Sequence, residues 1–177
     1  MRKCVFTLVG AAVVWLVVTP AVLGCGDKFV VLGRGVRFQA VHLSEHPASI
    51  LIYMGPTSKI PAADREFQLQ TMLKLAGHKP AAVTDSNDLE KALRSGQYDL
   101  VLVDLSDVGM LERETKGTTS KPEILPVVYN PSGKELADAE KRYSCVVKAS
   151  KKSHDLLAVI DEAMSGKIKG TGANCRK

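Results

Sequence analysis

Five short apolar runs, separated by amphipathic and polar segments, divide the chain between residues 49 and 166. Each run has the length of a strand, and most are apolar at every position, which is typical of strands covered on both faces. The runs are "SILIYM", "PAAVT", "DLVLV", "ILPVVY" and "CVVKA". Strands that alternate with helices favour a parallel sheet with helices on both faces, so we predict a doubly wound α/β domain.

The first two intervening segments carry the periodicity and the end signals of amphipathic helices. "DREFQLQTMLKLAGH" ends at Gly77, which predicts one helix with a glycine C-cap. "SNDLEKALRSG" predicts another helix, which begins with a capping pair of Asn87 and Glu90 and ends at Gly96. The buried stripe of the first helix is predicted to consist of Leu69, Met72, Leu73 and Ala76.

The second half of the chain repeats this pattern after an interruption. The polar segment "SDVGMLERETKGTTSKPE" is rich in Gly, Thr and Ser, so we predict a poorly formed helix or a loop there. A capping box of Ser132 and Glu135 begins the next helix. The last helix is predicted to begin with Ser153 as N-cap and to end before Gly166. Its buried stripe is Leu156, Leu157, Ile160, Ala163 and Met164.

Residues 1–24 have the pattern of a signal peptide. Arg2 and Lys3 precede an apolar run, and small residues follow Pro20. The run before Pro20 is shorter than the ~20 residues that a spanning helix requires, so we predict export. The two positive charges would keep the N-terminus inside and place the domain outside.

Two kinds of cleavage are compatible with this segment, and they predict different forms of the protein. Residues 22–25, "VLGC", resemble a bacterial lipobox, in which Cys25 is lipidated and anchors the protein to a membrane. An ordinary signal peptidase would cut after Gly24 or Gly26 and leave a soluble periplasmic or secreted protein. The sequence leaves both alternatives open.

Cys25, Cys145 and Cys175 remain after removal of residues 1–24, and no C-x-x-C pair is present. In an oxidising compartment Cys145 and Cys175 can form a disulfide. Cys145 also lies in "YSCVVKA", which is typical of a buried strand, so a free thiol in the core is the alternative.

Residues 25–48 form an extension before the domain. "GRG" at 33–35 predicts the turn of a β-hairpin, since the segment lacks the last glycine and the helix of a dinucleotide loop. "HLSEH" at 42–46 matches a zinc-protease pattern, but Pro47 interrupts the long helix that the pattern requires. No metal site is therefore predicted.

The remaining 153 residues are enough for one domain with a hydrophobic core. Residues 1–24 carry two of the 24 basic residues and no acidic residue, which leaves a net charge of +3. Residues 167–177 are predicted to be a flexible basic tail. No aromatic residues interleave with its charges, so nucleic acid is not an expected partner.

From residue 49 to residue 166 the chain resembles the receiver domain of two-component response regulators. The resemblance rests on "YDLVLVDLSD" at the phosphoacceptor strand, "ILPVVY" at the fourth strand and "CVVKAS" at the fifth strand. It implies a flavodoxin-like order of five parallel strands. It also implies that Asp104 takes the place of the phosphorylated aspartate and that Lys148 faces Asp104.

Several positions depart from the pattern of that family. Receivers hold a divalent cation with an acidic pair after the first strand, where this chain has Met54 and Gly55. The threonine or serine that ends the fourth strand is replaced by Tyr129 and Asn130. Asp104 and Lys148 are therefore predicted to form an ion pair without phosphotransfer. The protein would be a pseudo-receiver.

The resulting prediction is an exported, non-enzymatic module that binds an unknown protein or small ligand in the cell envelope. The carboxyl edge of a doubly wound sheet is the usual place for a ligand, so the candidates are Gly55, Thr57, Asp104, Asn130 and Lys148. No cofactor is predicted, because two prolines in "GPTSKIP" remove amide donors from a flavin-phosphate loop. The alternatives are a small exported enzyme that uses the same edge and a phosphorylatable receiver with Asp104 as acceptor.

Overall fold

The computed structural model of the chain describes residues 29–30, 39–40, 43–116, 121–149, 153–172 and 175. The two-residue strands β1 (Phe29–Val30) and β2 (Gln39–Ala40) come first and pair antiparallel. This pairing agrees with the predicted hairpin, whose turn at 33–35 lies outside the described residues, as do Cys25 and the predicted signal peptide. Among the described helices, none has the length and apolar character needed to cross a membrane.

The main sheet has five parallel strands, each of which is one of the predicted apolar runs. They are β3 (Ser49–Tyr53), β4 (Lys79–Val83), β5 (Leu100–Asp104), β6 (Glu123–Tyr129) and β7 (Val147–Ala149). Their spatial order is β4-β3-β5-β6-β7, and every neighbouring pair is parallel. This is the flavodoxin-like order, and it confirms the predicted fold class.

The described part of the chain contains six helices, and at least five of them cover the two faces of the sheet. They are α1 (Ile60–Phe67), α2 (Leu69–Leu75), α3 (Ser86–Ser95), α4 (Val108–Thr115), α5 (Gly133–Arg142) and α6 (Ser153–Ile168). The helices α1, α2 and α6 pack on one face, against the side chains of Ile50, Ile52, Leu100 and Leu102. The helices α3 and α4 pack on the other face, against Leu51, Tyr53, Val101 and Val103. All five residues of β5 are buried, which explains its uninterrupted apolar sequence.

The region predicted as one helix from its periodicity consists of two helices. Gln68 separates α1 from α2 and has a left-handed backbone with φ 50°. The carboxylate of Asp64 stabilises this break, since it accepts hydrogen bonds from the backbone and the side-chain nitrogens of Gln70 at 3.0 and 2.9 Å. Leu69, Leu73 and Ala76 are nevertheless buried as predicted. Met72 is only partly buried.

One helix start, one whole helix and one helix end also differ from the prediction. Asp85, rather than Asn87, caps α3, because its Oδ1 accepts the N–H of Asn87 at 2.7 Å. The interrupted region contains a regular helix, α4, of eight residues. The last helix continues through Gly166 to Ile168, so the beginning of the predicted flexible tail is helical. The predicted cap of α5 is confirmed, since Ser132 Oγ accepts the N–H of Glu135 at 3.2 Å.

Cys145 and Cys175 form a disulfide with a Cα–Cα distance of 4.9 Å. The N–H of Cys175 also donates to the carbonyl oxygen of Ser144 at 3.1 Å. Cys175 packs against the hydrophobic cluster under α6. The disulfide closes a loop of the chain that contains β7 and α6. The chain near its C-terminus is therefore fastened at Cys175, where the sequence predicted a flexible tail.

Candidate functional site

The carboxyl edge of the sheet has a switch point between the loops that follow β3 and β5. The chain passes from β3 to β4 on one side and from β4 to β5 on the other, so the direction of winding reverses between β3 and β5. Loops diverge at such a reversal, which is where doubly wound sheets bind ligands. Asp104, the last residue of β5, lies at this point.

Asp104 is 7% exposed, and both of its carboxylate oxygens accept hydrogen bonds from the chain itself. Oδ2 accepts the backbone N–H of Lys59 at 2.8 Å, which links the end of β5 to the loop after β3. Oδ1 accepts the backbone N–H of Ser106 at 3.1 Å and its hydroxyl at 2.9 Å. Three donors therefore compensate the buried carboxylate, and none of the described residues places a cationic side chain on it.

Asp107 is a second carboxylate beside Asp104. It precedes α4, and its N–H donates to the carbonyl oxygen of Asp104 at 2.9 Å. Burial and the nearby charge of Asp104 raise the pKa of Asp107, while hydrogen bonds from the side chains of Ser106 and Thr57 lower it. One oxygen, Oδ2, is buried and has no hydrogen-bond partner among the described residues. The sequence analysis missed this residue, although "DLSD" places the two acids three positions apart within one turn.

Gly55 is buried beneath an aromatic ring. A Cβ atom at this position would lie 2.8 Å from Cε1 of Tyr53, which is too close for any larger residue unless the ring moves. Tyr53 is itself buried, and burial together with the charges of Asp107 and Asp85 raises the pKa of its hydroxyl. Gly55 thus has a packing role, whereas Thr57, two residues further on, is exposed.

Lys148 does not contact Asp104. Asp104 is in register with Val127, and Val127 is in register with Val147, so Asp104 and Val147 lie on the same face of the sheet. Lys148 is the next residue and faces the other way, since side chains alternate along a strand. It is exposed, and the predicted ion pair with Asp104 is absent from the described residues. The prediction was wrong because β6 separates the two strands and because the register could not be known from sequence.

Asn130 follows β6 at the same edge and has a left-handed backbone with φ 46°. The preceding Tyr129 donates its hydroxyl to Oε2 of Glu66 at 2.5 Å, and this bond raises the pKa of the tyrosine. The ring of Tyr129 also packs against Phe67, with the ring centroids 6.1 Å apart. Asn130 is exposed, and the contacts of Tyr129 connect β6 to α1.

The acidic pair with which receivers hold a divalent cation is replaced after β3 by Met54 and Gly55. The two oxygens of Asp104 accept three hydrogen bonds from Lys59 and Ser106, so a cation at Asp104 would share these oxygens with those donors. Within the described residues, no group of three or more His, Cys, Asp or Glu residues is placed to hold a metal ion. No chemical step is therefore assigned to a metal here.

A cavity of about 380 Å³ lies at the opposite edge of the sheet. Glu123 at the start of β6 and Tyr143 after α5 line it, together with Arg142, whose guanidinium carbon lies 5.7 Å from the Tyr143 ring centroid. Cys145 of the disulfide also contributes to its wall. This volume falls in the range of small-molecule sites.

Comparison with known proteins found no matching family model, no matching curated protein and no matching solved structure. Evidence for function therefore comes from the chain's own residues, above all from the groups that surround Asp104.

Proposed function

We propose that the chain is an exported, receiver-like module that acts by binding a protein or a small ligand and does not carry out phosphotransfer. The observation that supports this most directly is the environment of Asp104. Both carboxylate oxygens accept hydrogen bonds that join the loop after β3 to the turn after β5. An aspartate in this arrangement holds two loops together, and its phosphorylation would break bonds on which the edge depends.

The exposed residues of the carboxyl edge are the proposed contact surface. Thr57, Asn130 and Lys148 are all exposed, and each follows or belongs to a different strand. Gly55 is buried under Tyr53, so we assign it to the support of this surface rather than to contact with a partner. The partner would lie in the cell envelope. Capture from an envelope fraction with the wild type and a Lys148→Ala variant tests whether this edge contributes to binding.

We expect that incubation with beryllium fluoride or acetyl phosphate in the presence of Mg²⁺ leaves the mass and the thermal midpoint unchanged. The reason is that Met54 and Gly55 stand where receivers have the acidic pair that holds Mg²⁺, which phosphoryl transfer to an aspartate requires. Intact mass spectrometry and thermal melts measure the result, and Asp104→Asn is the matched control. A magnesium-dependent phosphoadduct that is absent in Asp104→Asn would contradict the proposal and support the phosphorylatable alternative.

Export is supported by the disulfide, because disulfides persist in oxidising compartments. We expect that the protein isolated from its native host lacks residues 1–24 and therefore contains no tryptophan, since Trp15 is the only one in the chain. Intact mass measurement tests this. A mass that includes Trp15 would exclude the proposed processing. A diacylglyceryl mass on Cys25 would distinguish the lipoprotein from the soluble form.

A further inference from the structure

The segment Leu43–Ala48, here called the entry segment, leads into β3 and is bound to α2 and α6. The N–H of Ser44 donates to the carbonyl oxygen of Ala76, after α2, at 2.9 Å. The hydroxyl of Ser44 donates to Oδ1 of Asp161 on α6 through a short hydrogen bond. Ala48, at the other end of the segment, is held by a different set of hydrogen bonds. The entry segment is thus attached at both of its ends.

At Ala48 the attachment depends on a histidine. The carbonyl oxygen of Ala48 accepts the N–H of Lys79 at 2.9 Å, and its N–H donates to Nδ1 of His78 at 3.2 Å. His78 is 4% exposed. Because Nδ1 accepts a hydrogen bond it carries a lone pair, so the neutral ring has its proton on Nε2. That Nε2 is buried and has no hydrogen-bond partner among the described residues.

Protonation of His78 would remove this bond. The added proton must go to Nδ1, where it would point at the N–H of Ala48 and leave two donors facing each other. The imidazolium would also be buried, with its Nε2–H still unpartnered. The charged group that acts on the ring from the elements packed around it is Asp161 of α6, which favours the protonated form.

Burial lowers the pKa of His78 by more than the charge of Asp161 raises it. The pKa therefore lies below its ordinary value of 6.5. A histidine whose folded pKa lies below its unfolded pKa contributes stability that is fully present above pH 6.5. That contribution is lost as the pH falls from 6.5 toward the folded pKa. Acid therefore favours states in which His78 has left its buried position beside Ala48.

We propose that His78 is an acid-sensitive latch that holds the entry segment against the domain at neutral pH and releases it in mild acid. The geometry places the latch where the chain passes from the N-terminal extension into the sheet, between α2 and α6. Release would detach the Ala48 end of the entry segment from His78, while the sheet stays folded through its own core. This inference does not depend on the proposed binding function.

Hydrogen exchange measured by NMR on the full chain tests the latch. Between pH 7.5 and pH 5, after correction for intrinsic exchange, we expect the protection of the Ala48 and Ser44 amides to fall by about tenfold. The Ser49 amide is the internal control, because its acceptor is Oδ2 of Asp99 at 2.9 Å. Amides of the buried strand β5 report that the domain remains folded.

The matched variant is His78→Asn, whose side-chain oxygen can take the position of Nδ1 and does not titrate. In this variant the protection of Ala48 should stay constant over the same pH range. In the wild type, the midpoint of the change should coincide with the titration of the His78 ring followed by NMR, and this comparison can be made even if the variant fails to fold. Constant protection in the wild type, an equal fall in His78→Asn, or a midpoint that departs from the His78 titration would each overturn the proposal.

Discussion

Replacing Leu102 or Ile160 with alanine is expected to lower the free energy of unfolding by about 2 to 5 kcal/mol. Both side chains are fully buried, and both belong to the cluster between the sheet and α6. The loss combines the transfer of buried methyl groups with the cavity that remains, since the neighbouring strands cannot close around it. Urea unfolding, followed by far-UV circular dichroism, measures the change.

Ile168→Ala is the matched control for these core variants. Ile168 belongs to the same helix as Ile160 but is 64% exposed, so its replacement should change the free energy of unfolding by less than about 0.5 kcal/mol. Equal small losses at Leu102, Ile160 and Ile168 would mean that α6 does not pack on the sheet as described.

The strands were predictable because burial on both faces of the sheet restricts them to apolar residues. In a strand covered on both faces, a polar residue at any position would lose its hydration. The sequence of β5 is therefore apolar at every position up to Asp104. The stripe of α6 was equally clear, and all five of its predicted residues are buried. The winding order then followed from the rules for parallel connections.

The breaks and caps of the helices were less predictable, because single side-chain contacts decide them. Periodicity continues across Gln68, but the carboxylate of Asp64 offers the amides of Gln70 a better partner than an unbroken helix would. Asp85 and Asn87 are both good N-caps, and the observed cap is Asp85, whose Oδ1 accepts the N–H of Asn87. Such choices depend on tertiary context, which one sequence does not contain.

The site was predictable only in outline. The position of Asp104 at the end of a buried strand was evident, but its partners were not, since they are a backbone N–H from Lys59 and the neighbouring Ser106. Lys148 was expected to face Asp104. A lysine at a strand end faces one side or the other according to register, and a shift of one residue reverses it. Only the observed register places Lys148 on the opposite face.

Removing the disulfide by the double substitution of Cys145 and Cys175 with alanine is expected to lower the free energy of unfolding by about 3 to 4 kcal/mol. The two cysteines are 30 residues apart, and the cross-link limits the unfolded chain by closing a loop that contains β7 and α6. Alanine suits both positions, because Cys145 is buried among apolar residues and a serine would add an unpaired hydroxyl. Chemical unfolding under oxidising conditions measures the loss.

Because the two cysteines act as one unit, each single variant should lose about as much stability as the double variant, and the losses should not add. Adding a thiol reductant should destabilise the wild type by a similar amount and leave the double variant unaffected, which separates loss of the cross-link from changes in packing. The expected result also bears on the compartment. A domain that loses several kcal/mol when reduced loses a large part of the about 5 to 15 kcal/mol that typical domains have, so it would be best suited to a compartment where oxidants keep the bond formed. A loss below about 1 kcal/mol in all three variants would show that the disulfide is dispensable for the fold, and it would remove the structural support for export.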